Sequence, residues 1–202
     1  MNLTKNLPAR LAPARQAGQI AKIEFYVCSH LDSLNWQHTL GVRLIARKLA
    51  GLEKADKEIV DMAVLFHDLG KHTGEHKNHA QRSGELARKF LEHENFETRF
   101  IEEVVFCVMV HMASWENQTH LISTPEAKVL HDADLIQQLS EFGIIKHAIN
   151  YGADIYDNYK EGIIKTRDTL FKCYNLIITE NGRKIAEPGY KFIKDFFKKL
   201  SV

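Results

Sequence analysis

Histidine and aspartate side chains occur at several positions of this sequence where the neighbouring pattern is apolar. The chain of 202 residues contains eleven histidines, and six of them fall between His67 and His111. Imidazole is the commonest protein ligand of metal ions and the usual acid–base group near neutral pH. A local excess of histidine therefore indicates where a catalytic or metal site should be sought.

The ionisable groups extend apolar stripes on predicted helices. His38 lies four residues before Val42, and His67 and Asp68 directly follow the apolar run 62–66. Three later positions continue apolar helical stripes in the same way: His79, His111 and Asp134. Any one of them is explained equally well as a hydrogen-bonded core histidine or a helix cap. Together they favour a metal site, because burying such groups is costly unless they are paired or metal-bound, and helical folds assemble metal sites from separate helices.

Helical spacing of apolar residues recurs along the chain, whereas the alternation typical of strands is scarce. Asn35, Asp56 and Thr124 followed by Pro125 are expected to begin helices. We predict an all-α fold with helices near 13–29, 35–50, 57–69, 78–92, 97–112, 125–138, 140–157, 159–176 and 181–200.

Glycines and composition complete this outline. Gly51 and Gly70 stand where helices should stop, and residues 117–123 form the clearest predicted loop. A composition of 45% hydrophobic and 26% charged residues favours one compact domain. The net charge of +1 gives no electrostatic reason to expect nucleic acid or a membrane surface as a partner.

The cysteines and the hydropathy indicate the compartment. The three cysteines are far apart and form neither a disulfide framework nor a zinc motif; they are Cys28, Cys107 and Cys173. No apolar stretch is long enough to span a bilayer, and no signal peptide is recognised. We therefore expect a cytoplasmic protein.

Four local motifs carry a resemblance to a known family. They are W-Q-H-T-L-G-V at 36–42, L-F-H-D-L-G-K at 65–71, H-A-Q-R-S-G at 79–84 and D-A-D-L-I at 132–136. In this order the sequence resembles the HD-domain superfamily of metal-dependent phosphohydrolases. The tail 181–192 is similar to the end of a subgroup of small bacterial single-domain members, some thought to act on nucleoside triphosphates. The resemblance implies one HD domain over residues 1–202, with a core of about 20–200 and eight or nine helices.

The resemblance also implies a ligand set for one divalent ion: His38, His67, Asp68 and Asp134. Asp134 is preferred to Asp132 because the family's ligand is the second aspartate of D-A-D. Two imidazoles and two carboxylates suit Mn²⁺, Fe²⁺, Co²⁺, Ni²⁺ or Zn²⁺, and Mg²⁺ less well. The identity of the ion stays open.

Further roles follow from the same resemblance. Lys71 matches a lysine that faces substrate phosphate, although a helix-end cation favoured by the dipole is an alternative. His79 and His111 match positions that bind a second metal in binuclear relatives and contact phosphate in mononuclear ones. Asp68 or a nearby imidazole such as His79 could move a proton; Glu75 is an alternative general base.

The predicted activity is hydrolysis of a phosphate ester or anhydride of a nucleotide by a metal-activated water. Lys71 and His72 stand where stringent-response HD hydrolases carry Glu-Asp, which argues against alarmone hydrolysis. The alternatives are a catalytically silent HD domain that serves as a nucleotide-binding or regulatory module, and a purely structural bundle. The natural substrate and the oligomeric state stay open, with a homodimer among the possibilities.

Overall fold

The computed structural model describes residues 13–73 and 78–201. Within these ranges the chain forms ten α-helices and no β-strand, so the prediction of an all-α fold is confirmed. The helices are α1 (Pro13–His30), α2 (Ser33–Glu53), α3 (Lys57–Phe66), α4 (His79–His93), α5 (Thr98–Val110), α6 (Pro125–Gln138), α7 (Glu141–Asn150), α8 (Gly152–Asp157), α9 (Tyr159–Leu176) and α10 (Glu180–Lys199). Short 3₁₀ helices cover Leu69–Thr73, Ala113–Glu116 and Thr119–Leu121.

Helices α3 and α6 form the centre of the bundle. The apolar run 62–66 of α3 is buried throughout, and α6 is buried continuously from Val129 to Gln138. Helix α6 packs against α2, α3, α5, α7, α9 and α10. A helix that is buried all round has no solvent face, so the polar side chains of α6 must find partners inside the protein.

Two predicted helix starts are confirmed and one is wrong. Asp56 accepts hydrogen bonds from the first backbone N–H groups of α3, and Thr124 caps α6 with Pro125 at its first position. Helix α2, however, begins at Ser33 rather than near Asn35. The Asp32 carboxylate accepts the Asn35 N–H at 2.8 Å, which places the cap three residues earlier than predicted.

Neither predicted glycine stop is correct. Helix α2 continues through Gly51 to Glu53, and Lys54 ends it in the left-handed conformation with φ of 55°. Helix α3 ends at Phe66, and Gly70 lies in the 3₁₀ helix that follows. Local propensity identified the regions where the chain turns, but not the residue that adopts the turn.

The predicted helix 140–157 is divided at Tyr151 into α7 and α8, so the described residues form ten helices instead of nine. The turn allows α8 to fold back on α9, where a Cβ at Gly162 would lie 2.6 Å from the Cα of Ile155. The predicted loop 117–123 contains a 3₁₀ turn at Thr119–Leu121. No helix in the described parts of the chain is both long and apolar enough to cross a membrane.

Candidate metal centre

The structure brings the predicted site residues of five helices together at one buried position. His38 lies in the second turn of α2 and Asp134 in α6, whereas the others lie at helix ends: His67 and Asp68 directly follow α3, His79 begins α4 and His111 directly follows α5. All six side chains are buried.

The Asp68 carboxylate occupies the middle of the cluster. Its Oδ2 atom lies 3.6 Å from His38 Nε2 and 3.5 Å from His67 Nε2. Its Oδ1 atom lies 3.2 Å from His79 Nε2 and 4.0 Å from His111 Nε2. One carboxylate therefore faces two pairs of imidazoles, one pair with each oxygen.

The donor atoms form two groups, each compact enough to hold one cation. His38, His67 and Asp134 contribute atoms within 4.8 Å of one another, and the same limit holds for Asp68 with His79 and His111. Asp134 Oδ1 lies 2.9 Å from His38 Nε2. Because Asp68 borders both groups, it could serve a single ion or bridge two.

Hydrogen bonds at helix ends orient two of the imidazoles. His67 Nδ1 lies 2.7 Å from the carbonyl oxygen of Val64, and His111 Nδ1 lies 2.6 Å from that of Val108. Carbonyls in the last turn of a helix lack an intrahelical donor, so each accepts from the ring three residues later. A carbonyl cannot donate, so Nδ1 carries the proton and Nε2 presents its lone pair to the cluster.

Gln137 orients the third imidazole, and the sequence analysis did not select it. Its Oε1 atom lies 2.7 Å from His38 Nδ1 and fixes the same ring tautomer. A Cβ at Gly41 would lie 2.9 Å from Gln137 Cγ, so this glycine makes room for the glutamine. The available signal was a polar residue in the part of helix α6 that is buried without interruption, 129–138.

The donor set fits a divalent cation. Among the described residues, the buried Nε2 atoms of His38, His67 and His111 have no hydrogen-bond partner, and the 2.9 Å approach of His38 to Asp134 is not aligned as a hydrogen bond. A buried polar atom without a partner costs about 1–3 kcal/mol. A cation would satisfy these lone pairs, and imidazole with carboxylate suits first-row divalent metals.

The carboxylates are held in the ionised form that a metal requires. Burial raises the pKa of Asp68, but the Lys71 ammonium, 2.5 Å from its Oδ2, and the neighbouring imidazoles outweigh burial and hold the pKa well below its usual range. Burial likewise raises the pKa of Asp134, but the neighbouring His38 ring outweighs burial and holds that pKa below its usual range. Both groups therefore carry charge near neutral pH.

Imidazoles must be neutral to bind a metal, and burial favours that form. Burial lowers the pKa of His67 and lowers the pKa of His111 to about 3, with the nearby rings of His67 and His79 acting in the same direction. Proton competition for these two ring nitrogens is therefore weak near neutral pH.

Gly70 permits the close contact between the turn after α3 and the start of α4. Its N–H donates to Ser83 Oγ at 2.8 Å, and a Cβ there would lie 2.4 Å from the backbone oxygen of His79. The glycine of H-D-L-G-K is thus required by packing.

Lys71 is half-buried and bonded to Asp68, and Glu75 lies outside the described residues.

Helix α7 adds residues that the sequence pattern did not reveal. His147 Nε2 lies 2.6 Å from Gln138 Oε1, and Gln138 Nε2 donates to Asp134 Oδ1 at 3.3 Å. Lys146, which precedes His147 in the sequence, is also buried. The predicted helix 140–157 is divided at Tyr151, and Lys146 and His147 lie in its first part, α7. Because the prediction had one continuous helix here, it did not show that these two side chains lie near Asp134.

The second His-Asp pair of the chain has a structural role. Ser114 Oγ lies 2.7 Å from His131 Nε2, and His131 Nδ1 lies 2.8 Å from Asp132 Oδ1. This order resembles a nucleophilic triad, but the hydroxyl is buried. Asp132 also accepts the N–H groups of Ile178 and Thr179 at 2.9 and 2.7 Å, so it ties α6 to the start of α10.

Comparison with known proteins identifies the family. The model of the HD domain matches residues 35–139, which is more than half of the chain. The protein therefore belongs to the HD-domain superfamily. No curated protein matches the chain by sequence.

Solved structures show the same fold. A predicted HD superfamily hydrolase from an uncultured Thermotogales bacterium has 20% identity and a TM-score of 0.65, with 94% of this chain and 97% of that chain covered. Bacillus subtilis YpgQ in complex with ADP has 21% identity and a TM-score of 0.73, covering 92% and 94%. An HD-superfamily hydrolase from Bacillus thuringiensis has 21% identity and a TM-score of 0.69, covering 92% and 96%. Family membership and the histidine–aspartate clusters together support a metal-dependent hydrolase.

Proposed function

We propose that this protein is a metal-dependent phosphohydrolase that cleaves a phosphate ester or anhydride of a nucleotide. The observation that carries the proposal is the convergence of four Nε2 atoms on the Asp68 carboxylate, three of them in rings that hydrogen bonds orient. The ligands of one divalent ion would be His38, His67, Asp68 and Asp134. When bound, the ion would polarise a phosphoryl oxygen and lower the pKa of a coordinated water.

Lys71 has two tasks in this proposal. Its ammonium lies 2.5 Å from Asp68 Oδ2, so it holds that carboxylate in place. The side chain is 15% exposed and can reach a phosphate at the mouth of the site, where a cation stabilises the charge that develops on phosphoryl oxygens.

His79 and His111 form the other side of the centre. His79 Nε2 lies 3.2 Å from Asp68 Oδ1, within the reach required for a proton to move between an imidazole and a carboxylate. Both rings would contact a phosphate of the substrate or, together with Asp68, hold a second ion. A ligand shared in this way is the arrangement that two-metal phosphohydrolysis uses.

Phosphate chemistry alone does not distinguish a nucleotide from a simpler phosphate ester, so the choice of a nucleotide needs separate support. The support is the ADP complex of B. subtilis YpgQ, a protein of the same fold. Inside the described residues no glycine-rich phosphate loop is present, so the metal and nearby cations would supply phosphate binding.

The test is a screen of nucleoside mono-, di- and triphosphates and simple phosphate esters with Mn²⁺, Mg²⁺, Co²⁺ and Ni²⁺. We expect turnover that chelation abolishes and that Asp68→Asn reduces by at least about 100-fold. Asp195→Asn, an exposed aspartate on α10, should retain wild-type activity. Metal and nucleotide binding without turnover of any compound would instead support the silent regulatory module.

A further inference from the structure

One face of helix α7 lies against the metal centre. The ring of Phe142 is parallel to that of His38, with an interplanar angle of 7° and centroids 6.4 Å apart. Lys146 follows Phe142 by four residues and therefore shares its face of the helix. The next residue, His147, reaches Asp134 through Gln138. Lys146 therefore lies between two residues of α7, Phe142 and His147, that connect this helix to the centre.

Lys146 is a buried cation without a counter-ion in the described part of the chain. It is 5% exposed, and none of the described residues forms an ion pair or hydrogen bond with its ammonium. Lys71 and Arg43 differ in this respect, because Lys71 is bonded to Asp68 and Arg43 to Asp61. Burying an ammonium is costly unless an anion and hydrogen bonds compensate. A lysine that is buried along its length and has no counter-ion among the described residues is suited to bind an anion at its ammonium.

The charges around Lys146 belong to the centre itself. Burial lowers its pKa to about 8, and the charge of Lys71 acts in the same direction, whereas Asp68 and Asp134 oppose the shift. With a pKa near that value the side chain is still mainly protonated at neutral pH. A ligand placed between the metal ligands and Lys146 would therefore meet a cation on the α7 side.

We infer that Lys146 binds a phosphoryl oxygen of the substrate and so contributes a second cation, on a different helix element from Lys71, to the phosphate subsite. The inference rests on the proposed function for the identity of the anion. Lysine is a common phosphate ligand in proteins, acting as a point charge. The Lys71 ammonium is shared between Asp68 and the phosphate, whereas Lys146 has no ion-pair partner among the described residues and can serve the phosphate alone.

The test measures the binding of inorganic phosphate to the Mn²⁺-loaded protein by calorimetry. Lys146→Met removes the charge and keeps the length of the side chain, and we expect it to weaken phosphate binding by about tenfold or more. Lys146→Arg should restore affinity to within about threefold. Lys160→Met, which removes an exposed lysine of α9, should bind as the wild type does. Equal affinity of Lys146→Met and wild type would overturn the inference.

Thermal unfolding separates phosphate binding from a structural role. Without phosphate, Lys146→Met should unfold at the same temperature as the wild type or higher, because an apolar chain replaces a lysine that is buried without an ion-pair partner among the described residues. Added phosphate should then raise the unfolding temperature of the wild type more than that of the variant. A destabilised Lys146→Met that Lys146→Arg does not rescue in phosphate binding would show that the lysine serves the fold, and the inference would be wrong.

The two proposals fail in different ways. If the wild type hydrolyses no phosphate compound but Lys146→Met still weakens phosphate binding, the proposed function is wrong and the role of Lys146 stands. If nucleotides are hydrolysed and Lys146→Met leaves both phosphate affinity and KM unchanged, the hydrolase stands and the role of Lys146 is lost. A wild type that binds no phosphate contradicts the inference directly.

Discussion

Gln137 accepts a hydrogen bond from the Nδ1 atom of His38 at 2.7 Å, although the two residues are 99 positions apart in the sequence. The bond joins α2 to α6. It determines which ring nitrogen of His38 faces the centre, because Nδ1 is occupied as a donor and Nε2 keeps its lone pair. The geometry of the candidate site therefore depends on residues that would not themselves bind the ion.

Replacing Gln137 should weaken metal binding while the fold persists. Gln137→Leu removes the acceptor of the His38 proton, and loss of such a partner lowers metal affinity by about 10–100-fold. Competition with a chelator of known Mn²⁺ affinity measures the effect. Gln81→Leu, at an exposed position of α4, is the control. Unchanged Mn²⁺ affinity of Gln137→Leu would show that the bond does not orient a metal ligand.

A methyl group at Gly70 should disrupt the contact that places His79 near Asp68. The new Cβ would lie 2.4 Å from the backbone oxygen of His79 and 2.8 Å from the backbone nitrogen of Ser83. Because both atoms belong to the backbone, no side-chain rotation relieves the steric clash. We expect Gly70→Ala to lower the free energy of unfolding by about 2 kcal/mol or more and to weaken metal binding.

Gly51→Ala is the matched control for that substitution. The nearest atom to its added Cβ is the flexible Lys57 Cε at 3.9 Å, and alanine is favoured over glycine inside a helix by up to about 1 kcal/mol. Denaturant unfolding of both variants should therefore give shifts of opposite sign. A Gly70→Ala protein as stable as Gly51→Ala would contradict the packing described for the turn after α3.

Acidification should lower the free energy of unfolding by removing the contribution of the ionised Asp61 carboxylate. Burial raises the pKa of Asp61, but hydrogen bonds from Arg43 and Arg47 outweigh burial and lower it below its ordinary value. A carboxylate with a lowered folded pKa stabilises the protein above its unfolded pKa, near 3.9, and this contribution disappears as the pH falls through the folded pKa. Its stabilising effect is therefore complete near neutral pH.

Asp61→Asn should cost about 2 kcal/mol of unfolding free energy near pH 7, and the difference from wild type should shrink below about pH 4. Urea unfolding at several pH values measures it, with Asp195→Asn as the surface control. A deficit that stays constant from pH 7 to pH 3 would mean that the ion pairs with Arg43 and Arg47 are not the cause.

Removal of the metal should destabilise the protein. The charged carboxylates and unpartnered ring nitrogens at the centre lose their ligand when a chelator is added, whereas an ion that binds only the folded state stabilises it. We expect Mn²⁺ added to chelated, dialysed wild type to raise the unfolding temperature by several degrees. Asp134→Asn should show little response, and an equal response in that variant would exclude Asp134 as a ligand.

The sequence predicted the elements that depend on local chemistry. Asp56 and Thr124 carry cap side chains that act within three residues, and the candidate ligand positions follow motifs with fixed spacing. Asn35 was selected as a helix start because asparagine is a good cap, yet Asp32 three residues earlier takes that role. Two cap-forming residues this close cannot be ranked from propensity alone.

Residues whose partners lie on distant helices could not be predicted. Gln137 is defined by its contact with α2, and Lys146 by the position of α7, which depends on the turn at Tyr151. Asp132 is adjacent to the candidate centre in sequence but is used by the start of α10. Sequence spacing identifies which helix face is buried, whereas tertiary packing decides which polar groups meet.

Anomalous diffraction from crystals of the Mn²⁺-loaded protein tests the central claim most directly. We predict a manganese peak within about 2–2.5 Å of donor atoms of His38, His67, Asp68 and Asp134. No peak there at saturating Mn²⁺, or an ion bound elsewhere while the Asp134 carboxylate stays outside bonding distance, would contradict the account.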